Sequence, residues 1–333
     1  MPPPLEHAPS SAVARLLLAS DIGPDFDTLE LAETSGGCCL RTLFPELLRR
    51  DGLLDGAWAE ELGLAPHLPQ LHAFLGELEA NYGTNPYHNA AHGADVLLGT
   101  HHFLAALPPI TPLAHLAALF AAAIHDYAHP GTSNAYESKV DSPLALRYHD
   151  QSVLESHHLA SAFTLLLRAE HNFLAHWPRE RYMHFRRLVI KLVMMTDLAK
   201  HFDFISMLKA AYPEAGGGSA PDESTLLVAA IKTADLGHPL KPWAQHERWS
   251  QAVQEEFFLL GDRERAAGLP LSPLCCRERD GDLPRSQIGF IDFICAPLTT
   301  EIARVFPHTS DRLQRLDANR AEWARRARAS RET

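Results

Sequence analysis

From about Leu40 onward, apolar residues recur along this chain at the three- and four-residue spacings of a helix that buries one face. The segments 68–80 (LPQLHAFLGELEA), 89–106, 112–125, 152–169, 180–201 and 246–261 all carry that pattern. No run alternates apolar and polar residues over the length of a strand, so the fold class expected is all-α, a compact multi-helix domain. Prolines and glycines fall between the segments, at Pro108-Pro109, Pro130-Gly131, Pro178, Gly216 to Gly218 and across 268–285, and read as connectors. No period of 20 to 50 residues recurs, which excludes a solenoid.

Composition narrows the class. A chain of 333 residues, 46% hydrophobic and 21% charged, can bury a sizeable core. Its formal net charge of −11 argues against a nucleic-acid binder, which needs Lys and Arg in excess to displace counterions from a phosphate backbone. The start, MPPPLEHAPSSAVARLLLASD, lacks the basic region and sustained apolar stretch of a secretory signal, and the run Leu113 to Ile124 is too short to span a bilayer. A cytoplasmic protein is the expectation. The five cysteines, with neighbours at Cys38/Cys39 and Cys275/Cys276, have the spacing of neither a disulfide framework nor a zinc ribbon. The expected organisation is a flexible tail over 1–24, one catalytic domain over 25–325 and a short C-terminal tail over 326–333.

The 20 histidines are the unusual figure, and several stand beside acids. In NPYHNAAHGADV, His88 and His92 are four apart, which puts them on one face of a helix expected to begin near Asn85-Pro86. In AAAIHDYAHPG an apolar helix delivers His125 and Asp126 at its end, with His129 a turn further on. Asp235 closes another apolar helix in AIKTADLGHP, and Glu155 sits in the first turn of a third in SVLESHH. A carboxylate at the inner end of an apolar helix is costly to bury unless it is paired or bound to a metal. A lone buried His is more often a hydrogen-bonded core residue than a ligand. Spaced histidines, then His-Asp, then a distant Asp form the ligand order of the His-Asp type of metal-dependent phosphohydrolase.

The strings YHNAAHGADV, AAAIHDYAHPGTSN, SVLESHH, MTDLAKHF, TADLGHP, EEFFLLGDRERAAGLPLSPLC and SQIGFIDFI together resemble the catalytic domain of the class I cyclic nucleotide phosphodiesterases. The likeness runs in order from about Asp25 to about Trp323, and HPLKPW and GLPLSPLC are most similar to the calmodulin-stimulated, dual-specificity branch. The resemblance implies hydrolysis of cAMP, cGMP or both to the 5′-monophosphate. It implies two divalent ions, zinc at a tighter position and magnesium or manganese at a second. His92, His125, Asp126 and Asp235 would hold the tighter ion, with Asp126 bridging. His129, Glu155 and Thr196 would hydrogen-bond the waters and ligands around the pair. His88 would be the general acid. Gln287 would read the purine edge between Phe290 and Val253, with Tyr87, Leu198, His238 and Phe257 completing the wall.

Some features depart from the family pattern. The closing helix reads NRAEW, with Ala321 where an acid to hold His88 protonated is expected and Glu322 beside it, so that partner stays open. The connector 277–285 is charged and unlike that branch. The first 24 residues show no clear basic amphipathic helix for calmodulin. Two rivals remain, another His-Asp nucleotide phosphohydrolase and a cyclic-nucleotide sensor without turnover. The first leaves SQIGFIDFI unexplained, and the second gives no reason to keep His88 with every ligand.

Overall fold

The computed structural model describes residues 12–13, 16–17, 22–212 and 222–332. Most of the expected N-terminal tail and the glycines at 216–218 lie outside the described residues. The described chain is helical, with a single isolated bridge between Thr84 and Asn89 and no strand.

The N-terminal half runs through α1 (Thr28–Ser35), α2 (Cys39–Arg50), α3 (Ala59–Leu62), α4 (Leu68–Ala80), α5 (Ala90–Ala105), α6 (Pro112–Ile124), α7 (Asn134–Lys139) and α8 (Pro143–Tyr148). It continues through α9 (Val153–Leu166), α10 (Arg179–Met194), α11 (His201–Ala211), α12 (Glu223–Asp235), α13 (Trp243–Ala266), α14 (Leu283–Phe290), α15 (Ala296–Val305) and α16 (Asp311–Glu332).

The centre of the fold is α6, where every residue from Leu113 to Ile124 is buried. A helix apolar on all sides must be surrounded, and α5 and α10 pack against it. Thr111 caps its start by accepting from the Ala114 N–H, and Pro112 at the first position gives up a donor that the helix leaves unpaired in any case. Helices α5 and α12 meet closely at Gly99, where a side chain would stand 2.9 Å from the Ala234 Cβ. That contact draws the end of α12, with Asp235, towards the start of α5, with His92.

Two expectations need correction. The helix that carries His92 begins at Ala90, because the Asn89 side chain accepts from the N–H groups of Ala91 and His92. His88 is therefore in the loop before α5 and not on the helical face it was expected to share with His92. The apolar pattern over 180–201 also does not form one helix. It breaks after Met194, where the Asp197 carboxylate accepts the Ala199 N–H and starts a 3-10 turn over Leu198–Lys200. The apolar spacing runs through the break because both halves face the same core, and the break turns Thr196 and Leu198 to the cleft described below.

A smaller core of Ile291, Cys295, Leu316 and Trp323 joins α14, α15 and α16. Between α14 and α15 the chain takes one π turn, Ile291–Cys295. Pro297 has no N–H to offer the Phe293 carbonyl four residues back, and the neighbouring Ile294 carbonyl accepts from His201 Nε2 at 3.0 Å. At the C-terminus, α16 continues through the expected tail, with Arg326 over the ring of Trp243 at 4.5 Å.

Candidate active site

The ends of α5, α6 and α12 bring His92, His125, Asp126 and Asp235 together, with one ligand atom of each inside a single group. Asp126 Oδ2 lies 3.0 Å from His125 Nε2 and 3.4 Å from His92 Nε2. Asp235 Oδ1 lies 3.4 Å from each of the same nitrogens, which are 3.3 Å from one another. His125 Nδ1 donates to the Ala122 carbonyl at 2.9 Å, so in the neutral ring Nε2 presents a lone pair to the group. Ligands about 2.1 Å from a shared cation stand about 3.0 Å apart at right angles and about 3.4 Å apart at the tetrahedral angle. The observed separations match that shell, and the donor set of imidazoles and carboxylates suits a divalent cation. Burial would push His125 down, but Asp126 and Asp235 overcome it and hold the ring well above its ordinary value. The same pair of carboxylates that attracts a proton attracts a cation.

Beside this group a cleft of about 330 Å³ opens between α9, α13 and α14. Tyr87, Leu198, His238, Val253, Phe257, Gln287 and Phe290 all line it, as do His88, His129, Glu155 and Thr196. The rings of His238 and Phe290 stack at 5.5 Å and 9°. Gln287 is buried on α14, and its Oε1 accepts from the Ser250 hydroxyl at 3.0 Å.

His88 Nε2 stands 4.0 Å from Asp126 Oδ2, while its Nδ1 contacts Glu256 Oε1. The other oxygen of Glu256 accepts the backbone N–H groups of Tyr87 and His88 at 2.8 and 3.0 Å. Burial lowers the His88 pKa, but Asp126 and Glu256 outweigh it and lift it to about 8, so this ring is an imidazolium at neutral pH. His129 stacks on it at 4.1 Å, and burial together with that cation holds His129 well below its ordinary value. The two stacked rings are thus an acid and a neutral neighbour. Gly131 N–H donates to His129 Nδ1 at 3.0 Å, so the neutral His129 carries its proton on Nε2. Glu155 is raised to about 7 by burial and by the nearby Asp197, and Asn134 donates to both of its oxygens.

The closing helix does not supply the partner of His88. Glu322 pairs with Arg325 and Arg326 on α16. Glu256 takes the place instead, and it carries a legible signal. Trp249, Val253, Glu256 and Leu260 follow one another by four, three and four along α13, so Glu256 occupies an apolar-stripe position that a solvated glutamate would not. Asn85, expected from the sequence only to mark a helix start, ties two loops together instead. Its amide donates to the His88 and His129 carbonyls at 3.1 and 2.7 Å, tying the loop before α5 to the loop after α6, and Gly131 packs where a side chain would strike it.

An all-helical shell that focuses two histidines and two aspartates on the floor of an apolar, purine-sized cleft defines a metal-binding helical domain of the phosphohydrolase kind. The family model for 3′5′-cyclic nucleotide phosphodiesterase matches residues 87–316. This chain belongs to the 3′5′-cyclic nucleotide phosphodiesterase family, whose members depend on metal ions. It is 39% identical over 297 residues to a dual specificity calcium/calmodulin-dependent 3′,5′-cyclic nucleotide phosphodiesterase 1B of Rattus norvegicus, covering 86% of this chain and 53% of that one. It is 40% identical over 281 residues to the 1C protein of Homo sapiens, covering 83% and 38%. The chain thus spans about half the length, or less, of these relatives. Among solved structures it is similar to the phosphodiesterase domain of the RhoPDE fusion protein from the choanoflagellate Salpingoeca rosetta, with a TM-score of 0.85 and 30% identity over 96% of this chain and 100% of that one. Among the described residues no helix is long and apolar enough to cross a membrane.

Proposed function

We propose that this chain hydrolyses cAMP and cGMP to their 5′-monophosphates in the cytoplasm, with His92, His125, Asp126 and Asp235 as ligands of the tighter of two divalent ions. The observation that carries the reading is one cleft that joins the four-residue group, a histidine paired with Glu256 and 4.0 Å from Asp126, and a flat apolar slot. Zinc suits the mixed nitrogen and oxygen group, and magnesium or manganese suits a second position beside Asp126. When bound, the two ions supply a water acidic enough to ionise near neutral pH and positive charge against the phosphate oxygens.

The chain's own residues do the rest. His88 gives its proton to the departing 3′-oxygen, and Glu256 keeps that proton available by pairing with the other ring nitrogen. Glu155, Thr196 and His129 orient water at the floor of the cleft. Phe290 and Val253 hold the two faces of the base. Gln287 reads its edge, where adenine and guanine present opposite donor and acceptor patterns. Its neighbour Ser250 lies within hydrogen-bond reach of both Gln287 Oε1 and the His246 carbonyl, at 3.0 and 2.8 Å. A hydroxyl can donate to the amide oxygen or, by turning to that carbonyl, accept from the amide nitrogen, so Gln287 can serve either base.

The test is turnover of cAMP and cGMP by purified protein, with and without added magnesium or manganese, on wild type and Gln287→Ala. Both nucleotides should be cleaved with kcat/KM within about tenfold, a gap of about 1.4 kcal/mol that one compromised hydrogen bond produces. Gln287→Ala should weaken both by similar factors. A preference beyond a hundredfold would overturn dual specificity, and no turnover of either nucleotide with metal present would overturn the reading itself.

A further inference from the structure

Behind the catalytic cleft, on the far side of the loop that follows α6, a second groove of about 420 Å³ opens to solvent. Tyr127 and Ala128 line it, while Asp126 and His129 line the catalytic cleft, so the turn 126–129 stands between the two cavities. Its other walls are α8, with Arg147 and Tyr148, and the outer face of α9, with His157, Ser161 and Thr164, ending at Arg168. No carboxylate lines this groove, although the chain as a whole carries a net charge of −11.

The two arginines are not engaged in the way the other arginines nearby are. Arg147 is exposed and makes no hydrogen bond or ion pair among the described residues. Arg168 has one ion pair, to Glu77 at 3.8 Å, between side chains that are both about half exposed. Such a contact contributes little and leaves the guanidinium free to turn. Burial lowers the His157 pKa, and its Nδ1 lies 3.4 Å from the Ser161 hydroxyl. The groove therefore offers two guanidinium forks, hydroxyl groups and the rings of Tyr127 and Tyr148.

We propose that this groove is a binding site for a phosphate monoester, specifically a nucleoside 5′-monophosphate. Guanidinium forks match the geometry of a phosphate dianion and bind it through paired, charge-assisted hydrogen bonds. A bare phosphate would fill a small part of the space, whereas a cavity of this size is ordinary for a nucleotide-sized ligand. Tyr148 gives the base a flat apolar face. The ligand would rest against Ala128, a non-glycine residue at φ 60° within the turn that carries Asp126 and His129, so the site sits where occupancy is felt by the catalytic floor.

The experiment is equilibrium dialysis of the metal-loaded protein with labelled 5′-AMP and, separately, labelled inorganic phosphate. The 5′-AMP stoichiometry should fall by one per chain on going from wild type to the double variant Arg147→Glu, Arg168→Glu. The single variant Arg147→Ala should weaken the lost site at least tenfold. Both arginines lie outside the catalytic machinery, so kcat/KM of the variants should stay within about twofold of wild type, and the melting temperature should be retained. Inorganic phosphate should need at least tenfold higher concentration to fill the same site. An unchanged stoichiometry in the double variant overturns the site, and phosphate binding there as tightly as 5′-AMP overturns the nucleotide assignment. The readout is a difference in bound ligand, so it stands apart from whether the catalytic cleft turns over cyclic nucleotides.

Discussion

Two clusters in this molecule are built from the same ingredients and reach opposite ends. At the C-terminus of α2, Asp51 Oδ2 lies 3.0 Å from His101 Nδ1 on α5 and 2.7 Å from His115 Nε2 on α6. At the ends of α5, α6 and α12, two aspartates face two histidines at 3.0 to 3.4 Å, with the two ring nitrogens 3.3 Å apart. In the first cluster each nitrogen meets one oxygen at hydrogen-bond distance, so a proton between them satisfies every group. In the second, the two nitrogens stand 3.3 Å from each other and each lies within 3.4 Å of both carboxylates, so all four atoms converge on one point that a single cation can occupy. The first cluster pins three helices together, and the second is shaped for a cation. Counting His and Asp does not separate them; which atoms face which does.

Metal removal should separate them most sharply. Asp235→Asn and His125→Ala should each lose bound metal and nearly all turnover, read by elemental analysis beside the cAMP and cGMP assays. Asp51→Asn should keep both.

The next effect is at His88. His88→Ala should keep its metals and lower kcat by about 10²- to 10⁴-fold, the usual share of general acid catalysis. A substrate whose leaving group needs no proton should recover much of that loss, and equal loss on both substrates would show that His88 is not the acid. Because Asp126 and Glu256 hold His88 at about 8 against burial, wild-type kcat should fall as pH rises through that value. Glu256→Gln removes one of the two supports, and the fall should move to lower pH.

Removing an acceptor at Glu155→Gln should cost about 10- to 100-fold in activity or metal affinity, the range for residues that orient ligands and waters around a metal.

For Asp51 the readout is stability. Burial alone would raise its carboxyl, but the hydrogen bonds from His101 and His115 bring it down from 3.8 to about 2. Since the folded value is the depressed one, the stabilisation is fully present above the ordinary value and is lost as pH falls towards 2. It amounts to about 2 kcal/mol by linkage. Asp51→Asn should therefore lower the unfolding free energy by about 2 to 4 kcal/mol near neutral pH while leaving kcat per folded molecule unchanged. Lost activity with full stability would mean that the two clusters are not distinct in kind.

The same contrast explains what the sequence shows and hides. Helical spacing marks α4 at Leu68–Ala80, and it marks α5 and α6 to within a residue or two, because their apolar faces pack on one core. The four candidate ligands were visible since each stands at the inner end of an apolar helix, where an unpaired acid is costly. His88 was visible too, but its backbone was misread, because the Asn89 cap ends the loop one residue after it. Glu256 was hidden by its exposed neighbour Glu255, and only its place in the apolar stripe of α13 separates the two. The Asp51 cluster was illegible, since residues 51, 101 and 115 are far apart in the chain and meet only through the packing of α2, α5 and α6. The break at Thr196 was hidden because the apolar pattern is continuous across it.

The central claim is that the group of His92, His125, Asp126 and Asp235 is a metal centre and that of Asp51 is not. Its most direct test is elemental analysis by mass spectrometry of wild type, Asp235→Asn and Asp51→Asn, purified side by side without added metal and then reloaded. The account predicts a tightly held divalent ion in wild type and Asp51→Asn and its loss from Asp235→Asn, with turnover of cyclic nucleotides following the ion. A full complement of metal in Asp235→Asn would contradict it.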